Sequence, residues 1–238
     1  MNDLDKRLRK AIMQFWKVRA DQSKKQGKFG GGEDRGERRA VTGGAQLAGL
    51  VNLIKELLQE AGLRSVDIYT QKVALPGYFR PTKDWDLTVV SDRNLIASIE
   101  FKSQVGPSFG NNFNNRVEEA LGSATDLWKA YREGAFKPSR QPWLGYLMLL
   151  EDDPKSVSSV KVGETHFPIF QEFNDASYAK RYELFCERLI RERLYNAACF
   201  IMSDRVSGLK GKYREPSPEL SFAVFSKSLI AHARTFVD

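Results

Sequence analysis

Cysteine is scarce in this chain. Cys186 and Cys199 are the only two, and each has apolar neighbours, Leu184-Phe185 before one and Ala198 and Phe200 around the other. That count and spacing exclude a disulfide framework and a zinc-ribbon or finger site, and predict two buried thiols. No apolar run approaches the length of a membrane span. The first residues, Asp3 to Lys10, are charged and lack an apolar core, so no secretory signal is expected and the protein is expected to be cytoplasmic. The phosphate-cradling pattern GxxxxGK[ST] is missing, which excludes an ATP-driven motor within the chain. There is no internal repeat.

What is present suits one sizeable domain spanning residues 1–238: an N-terminal helix plus a basic loop over 1–44, then a core over 45–238. Hydrophobic residues make up 42%, too many for a disordered chain. Lys and Arg number 37 against 30 Asp and Glu, a formal net charge of +7. A basic balance of that size favours a polyanionic partner, although charge alone says nothing of fold or chemistry.

Periodicity predicts a helix from Leu4 to about Ala20, with Leu8, Ile12, Phe15 and Trp16 on one face. Gln26 to Gly44 has no apolar period and carries Lys28, Arg35, Arg38 and Arg39. It reads equally as a solvated linker or as an arm that orders on DNA. A second helix is expected over Gln46–Glu60, ended by Gly62, then a strand over Ser65–Leu75 and a polar-aromatic loop over Tyr78–Trp85 in which Tyr78 and Phe79 pack. Asp86–Val90 and Leu95–Phe101 form a hairpin about Ser91-Asp92-Arg93-Asn94. Val105–Asn115 reads as a Gly/Asn-rich loop, followed by a helix with Val117, Ala120, Leu121, Ala124, Leu127, Trp128 and Tyr131 on its apolar face. A buried strand over Leu144–Leu150, a helix over Tyr178–Leu194 and a strand over Ala197–Met202 follow. The tail, Leu220–Phe236, starts strand-like and ends helix-like. The sum is α/β, with a mixed central sheet flanked by helices.

The chemistry is carried by the hairpin. Side chains alternate along a strand, so Leu95, Ala97, Ile99 and Phe101 share one face while Glu100 and Lys102 share the other. With a three-residue turn, Asp92 to Asn94, Ser91 faces Leu95. Counting back, Asp86 then faces Glu100, with Cβ atoms about 5 Å apart. Two facing carboxylates repel, and a divalent cation offsets that repulsion. Magnesium, about 2.1 Å from each carboxylate oxygen, keeps further positions for water and a phosphate oxygen. Lys102 on the same face can then contact the attacking water or the charge developing on phosphorus. Asp84 is a rival first ligand; Asp86 is preferred because it begins the regular strand pattern.

Asp86, Glu100 and Lys102 occupy the signature positions of the PD-(D/E)xK nuclease fold, which this pattern resembles, although Trp85 stands where proline is usual. Leu75-Pro76-Gly77-Tyr78-Phe79-Arg80-Pro81-Thr82-Lys83 and the stretch Lys102 to Arg116 look like those of the XhoI family of type II restriction endonucleases. So does His166-Phe167-Pro168 with the Phe-containing stretch after it. The likeness runs from the Gly43-Gly44 helix to at least Cys186. It implies a restriction-endonuclease-like core and Mg2+ as cofactor. It also implies a homodimer that cuts double-stranded DNA at the palindrome CTCGAG after the first C, leaving a 5′ overhang with 5′-phosphate ends, and a separate methyltransferase that protects the host.

The loop after the catalytic strand should then lie near the scissile phosphate. Asn111, Asn112, Asn114, Asn115 and Arg116 match adenine and guanine edges chemically, or they take turn positions and cap the next helix. Ser103 and Gln104 are candidates for a phosphate or base contact, Arg80 and Lys83 for phosphate contacts, and Lys210 and Lys212 for a second backbone contact. His166 is set aside as structural. The competing readings are a structure-directed repair or junction nuclease of the same fold, and a DNA-binding module without catalysis.

Overall fold

The computed structural model describes residues 3–28, 44–70, 73–163 and 166–237. Most of the expected basic loop, residues 29–43, lies outside the described residues. Among the described residues there are seven strands: β1 Ile68–Tyr69, β2 Val73–Pro76, β3 Thr82–Trp85, β4 Leu87–Ser91, β5 Asn94–Gln104, β6 Trp143–Glu151 and β7 Ala197–Ser203. The main helices are α1 Asp3–Lys28, α2 Ala48–Glu60, α3 Gly110–Arg132, α4 Tyr178–Arg191 and α5 Phe222–Arg234. Among the described residues, no helix is long and apolar enough to cross a membrane.

β1, β4, β5, β6 and β7 form one sheet in that order. The first two pairings are antiparallel and the last two parallel, while β2 and β3 make a separate antiparallel ribbon. This is the mixed sheet the sequence predicts. Alternation sorts its side chains into two layers. Ala97, Ile99, Phe101, Leu147, Leu149, Cys199 and Ile201 meet α1, α2 and α5 on one face. Tyr146, Met148, Leu150, Ala198, Phe200 and Met202 meet α3 and α4 on the other. Ile99 is fully buried and Phe101 nearly so, and each contributes about 2 kcal/mol. Leu8, Ile12, Phe15 and Trp16 form the buried stripe of α1 as predicted. Both cysteines are free and buried, and burial pushes their pKa values up, so neither thiol is poised to react.

Several expectations are corrected. The expected strand over Ser65–Leu75 is broken into a 3-10 turn, the short β1 and then β2. The polar stretch read as a loop contains β3, because Thr82–Trp85 pairs in register with Val73–Pro76. Tyr78 and Phe79 do not pack into the core; they are 51% and 70% exposed, edge to face with each other at 5.0 Å. The Gly/Asn stretch is helical from Gly110, and Phe109 is the N-cap, so Asn114 and Asn115 are not caps. Asparagine prefers turns and is a poor helix former, which hid this start. Phe113 anchors it, edge-on to Tyr182 at 5.0 Å. The tail forms no strand: a 3-10 turn, Pro218–Leu220, leads into α5, capped by Ser221.

The hairpin turn also differs. Asp92 and Arg93 both have positive φ, 47° and 63°, and Ser91 pairs with Asn94, so the turn has two residues and not three. A bulge then restores the count: Val90 pairs with Leu95 but Val89 pairs with Ala97, leaving Ile96 extra. Leu87 therefore faces Ile99, the register the longer turn predicted. The bulge moves Leu95 into the α3–α4 layer, away from Ala97, Ile99 and Phe101.

Candidate active site

Asp86 stands at a bend between β3 and β4, one residue before Leu87 pairs with Ile99. Its Oδ2 accepts a hydrogen bond from the Phe101 amide at 2.8 Å. That bond fixes the carboxylate beside the neighbouring strand, between Glu100 and Lys102 in sequence. Asp84, the rival, is exposed on β3, whose alternation turns Lys83 and Trp85 inward. Asp86 is exposed, as Asp84 is, yet the protein crowded around its carboxylate, followed by the charge on Glu100, raises its pKa, with the Phe101 amide and the two lysines opposing the rise.

Glu100 is 5% exposed and sits between two cations. Lys83 Nζ lies 2.8 Å from Oε2 and Lys102 Nζ 2.5 Å from Oε1. Burial alone would raise the Glu100 pKa, but Lys102 and Lys83 override it and the net direction is down. Lys102 is likewise penalised by burial, yet Glu100 holds its pKa above the ordinary lysine value. Across Lys102, at 3.6 Å, is Glu119 of α3, which also accepts from Arg116 at 2.7 Å. Charges thus alternate along the cleft: Lys83, Glu100, Lys102, Glu119, Arg116.

The cleft holds about 590 Å³ and is bounded by the β2–β3 ribbon, β5 and α3. Its outer wall is tied down by Asp126, buried on α3. Asp126 accepts from the amides of Tyr78 at 2.7 Å and Phe79 at 2.8 Å and from Arg80 Nε at 2.8 Å. Gly77 allows the approach, since a Cβ there would stand 2.4 Å from Asp126 Oδ2. Burial raises the Asp126 pKa, but the Phe79 and Tyr78 amides and Arg80 bring the net direction down.

The remaining expected site residues divide. Arg80 and Lys83 line the cleft with Glu100 and Lys102. Asn112, Asn114 and Asn115 are exposed on the first turns of α3; Asn112 also donates to Ser108 O at 3.2 Å, and the side chain of Asn111 lies outside the described residues. Gln104 is 2% exposed, its amide donating to Ser108 O at 2.6 Å and accepting from Tyr182 at 3.1 Å, so it braces the turn after β5. Ser103 points to the opposite face and accepts from Gln46 at 2.7 Å. Lys210 and Lys212 are exposed on a loop packed against α1, also across the sheet from Glu100. His166 is exposed and takes no part.

Sequence reading missed Asp126, Glu119 and Glu151. Glu151 ends β6, is 2% exposed, and receives the Gly106 amide at 2.8 Å and Arg205, pinning the turn after Gln104. Apolar positions surround Asp126 in sequence, at Ala124 and Leu127, and that was its one visible signal.

Asp86 and Glu100 offer hard carboxylate oxygens from neighbouring strands. This donor set fits a hard divalent cation that keeps several waters, and it is too small for an all-protein cage. No group of three or more metal-binding side chains exists among the described residues.

The chain is similar to known restriction enzymes. The family profile described as restriction endonuclease XhoI matches residues 25–215. The type II restriction enzyme BstVI of Geobacillus stearothermophilus is 54% identical over 210 residues, covering 86% of this chain and 94% of the relative. The type II restriction enzyme XhoI of Xanthomonas vasicola is 41% identical over 196 residues, 79% of this chain and 76% of the relative. The type II restriction enzyme AbrI of Azospirillum brasilense is 50% identical over 156 residues, 65% and 69% respectively. No solved structure matches. The chain belongs to the XhoI family of type II restriction endonucleases.

Proposed function

We propose that this enzyme is a Mg2+-dependent homodimer of single-domain subunits that hydrolyses both strands of double-stranded DNA at CTCGAG after the first C. A separate methyltransferase would protect the cytoplasmic DNA of its host. The observation that carries the reading is the hydrogen bond from the Phe101 amide to the Asp86 carboxylate, on the residue that lies between Glu100 and Lys102 in β5. The match to relatives named XhoI and BstVI supports the target sequence.

Asp86 and Glu100 would hold the cation, which supplies charge neutralisation at the scissile phosphate and an acidified water. Lys102 orients the attacking water and stabilises the added negative charge on phosphorus. The attacking water gives up a proton to solvent as its oxygen bonds to phosphorus, the P–O3′ bond breaks, and the 3′ oxygen takes a proton from solvent and leaves as a hydroxyl, so the phosphate stays on the 5′ end. Glu100 keeps Lys102 charged and placed. Arg80 and Lys83, on the cleft wall, meet the phosphates, and the exposed amides of Asn112, Asn114 and Asn115 read base edges where α3 begins.

The test is to digest lambda DNA with Mg2+ and sequence the fragment ends, with EDTA as control. The expected result is one 5′ end, TCGAG, at every cut, lost with EDTA. Random nicks would instead establish a structure-directed nuclease, and intact DNA under every divalent metal a binding module.

A further inference from the structure

Both oxygens of Glu100 are already taken. Lys83 Nζ holds Oε2 at 2.8 Å and Lys102 Nζ holds Oε1 at 2.5 Å, and both ammonium groups are largely enclosed. Lys83 is seated for this contact. Its ammonium lies 4.3 Å from the centre of the Trp85 ring and donates to the Asp84 carbonyl at 2.9 Å. It rides on the ribbon whose tip Asp126 fastens to α3. A divalent cation reaching Glu100 must therefore displace an ammonium and overcome two nearby positive charges. The two carboxylates, Asp86 and Glu100, and the two lysines sum to zero charge, so a divalent cation leaves an excess of positive charge, +1 once an ammonium has turned away, unless an anion arrives with it. Lys83 faces the cleft and its flexible four-carbon stem lets it turn toward an incoming phosphate.

We propose that Lys83 is a place-holder for the cation. In the DNA-free protein its ammonium occupies the Glu100 oxygen the metal needs, and a DNA phosphate in the cleft draws it off. Metal and DNA then bind with positive coupling, and each raises the affinity for the other by the same factor. The enzyme is thereby kept from loading metal, and from hydrolysing phosphodiesters indiscriminately, until DNA is seated. Lys83 acts on the metal through Glu100 and is a positioning residue, distinct in this from Lys102.

This rests on Asp86 and Glu100 being the metal ligands, and the experiment separates the two claims. Mn2+ alone is titrated into the DNA-free protein and followed by electron paramagnetic resonance, for the wild type and for Lys83→Met, Lys83→Arg and Glu100→Gln. The titration is repeated with a duplex whose scissile linkage is non-hydrolysable, and each variant's fold is checked by its thermal transition. Removing a competing charge from an enclosed site is expected to tighten Mn2+ binding to DNA-free Lys83→Met by about tenfold. The gain on adding duplex should shrink by a similar factor, and Lys83→Arg should return to wild-type behaviour. Mn2+ binding to Lys83→Met that equals or falls below wild type, or that stays undetectable in both, overturns the place-holder. Undiminished Mn2+ binding by Glu100→Gln would overturn the metal-site reading beneath it.

Discussion

The Glu100 cluster, which lines the cleft, and the first turns of α3, which precede the part of that helix that lines it, are both polar, yet they are built in opposite ways. Around Glu100 the charges are largely enclosed and paired with one another, Lys83 and Lys102 on its two oxygens, with the more exposed Glu119 and then Arg116 continuing the alternation. Along Asn112, Asn114 and Asn115 the amides stand exposed, with little internal bonding. A matched cluster contributes to folding and must be rearranged to work, whereas open amides contribute little to stability and are free for a partner. Substitutions in the first region should therefore change cleavage and stability together, and those in the second should change recognition alone.

The largest effect that would break this contrast is on cleavage. Asp86→Ala, Glu100→Ala and Lys102→Ala are each expected to lower single-turnover cutting of plasmid by about a thousandfold or more. Binding to a CTCGAG duplex in EDTA, where no metal contributes, should stay largely intact by gel shift. Near-normal cutting in any of them removes that residue from the chemistry.

Next comes stability. Glu100→Gln leaves Lys83 and Lys102 enclosed without their anion and should cost about 3 kcal/mol in urea unfolding. The pH dependence has a definite sign. Glu100 is held below the usual carboxylate pKa, so its contribution is present above about pH 4.3 and is lost as pH falls through its lower folded value. The acid limb of the stability curve should flatten in Glu100→Gln. Asp86 has the opposite sign: the protein crowded around it and repulsion from Glu100 raise its pKa, so its ionised form opposes folding near neutral pH. Asp86→Asn should thus raise the melting temperature of metal-free protein, by only about 1 °C because solvent reaches the group. A melting temperature that falls in Asp86→Asn would contradict the repulsion.

In the open region, Asn112→Ala, Asn114→Ala and Asn115→Ala should leave the melting temperature within about 1 °C. Any one that reads a base loses about 1–3 kcal/mol of discrimination, seen as weaker binding to the cognate duplex with non-specific binding unchanged. Unchanged cognate binding in all three would assign them to helix and turn geometry alone.

The sequence made the strand pattern legible wherever apolar residues alternate, and so it placed Glu100 and Lys102 on one face of β5. The pairing of Leu87 with Ile99, one residue after Asp86, was reached through two compensating departures, a turn one residue shorter and a bulge at Ile96. Nothing in the residue types marks that bulge, and an arginine at positive φ in the turn is unusual. Lys83 was legible as a cation near the site but not as a partner of Glu100, because Thr82–Trp85 lacks the apolar alternation that marks strands. The start of α3 was hidden by asparagines whose local preference is for turns, overridden by the packing of Phe113 on Tyr182 and Phe185. Asp126 and Glu151 are tethers between segments distant in sequence, and a single chain read locally carries no trace of such pairings.

The most direct measurement is a crystal structure of the enzyme with Ca2+ and an uncleaved CTCGAG duplex. It should show the cation shared by Asp86 and Glu100 and touching the phosphate between the first C and T, with Lys102 beside that phosphate. A cation held by Asp84 or Glu119 with Asp86 uninvolved, or one seated at another phosphate, would contradict the assignment of the site.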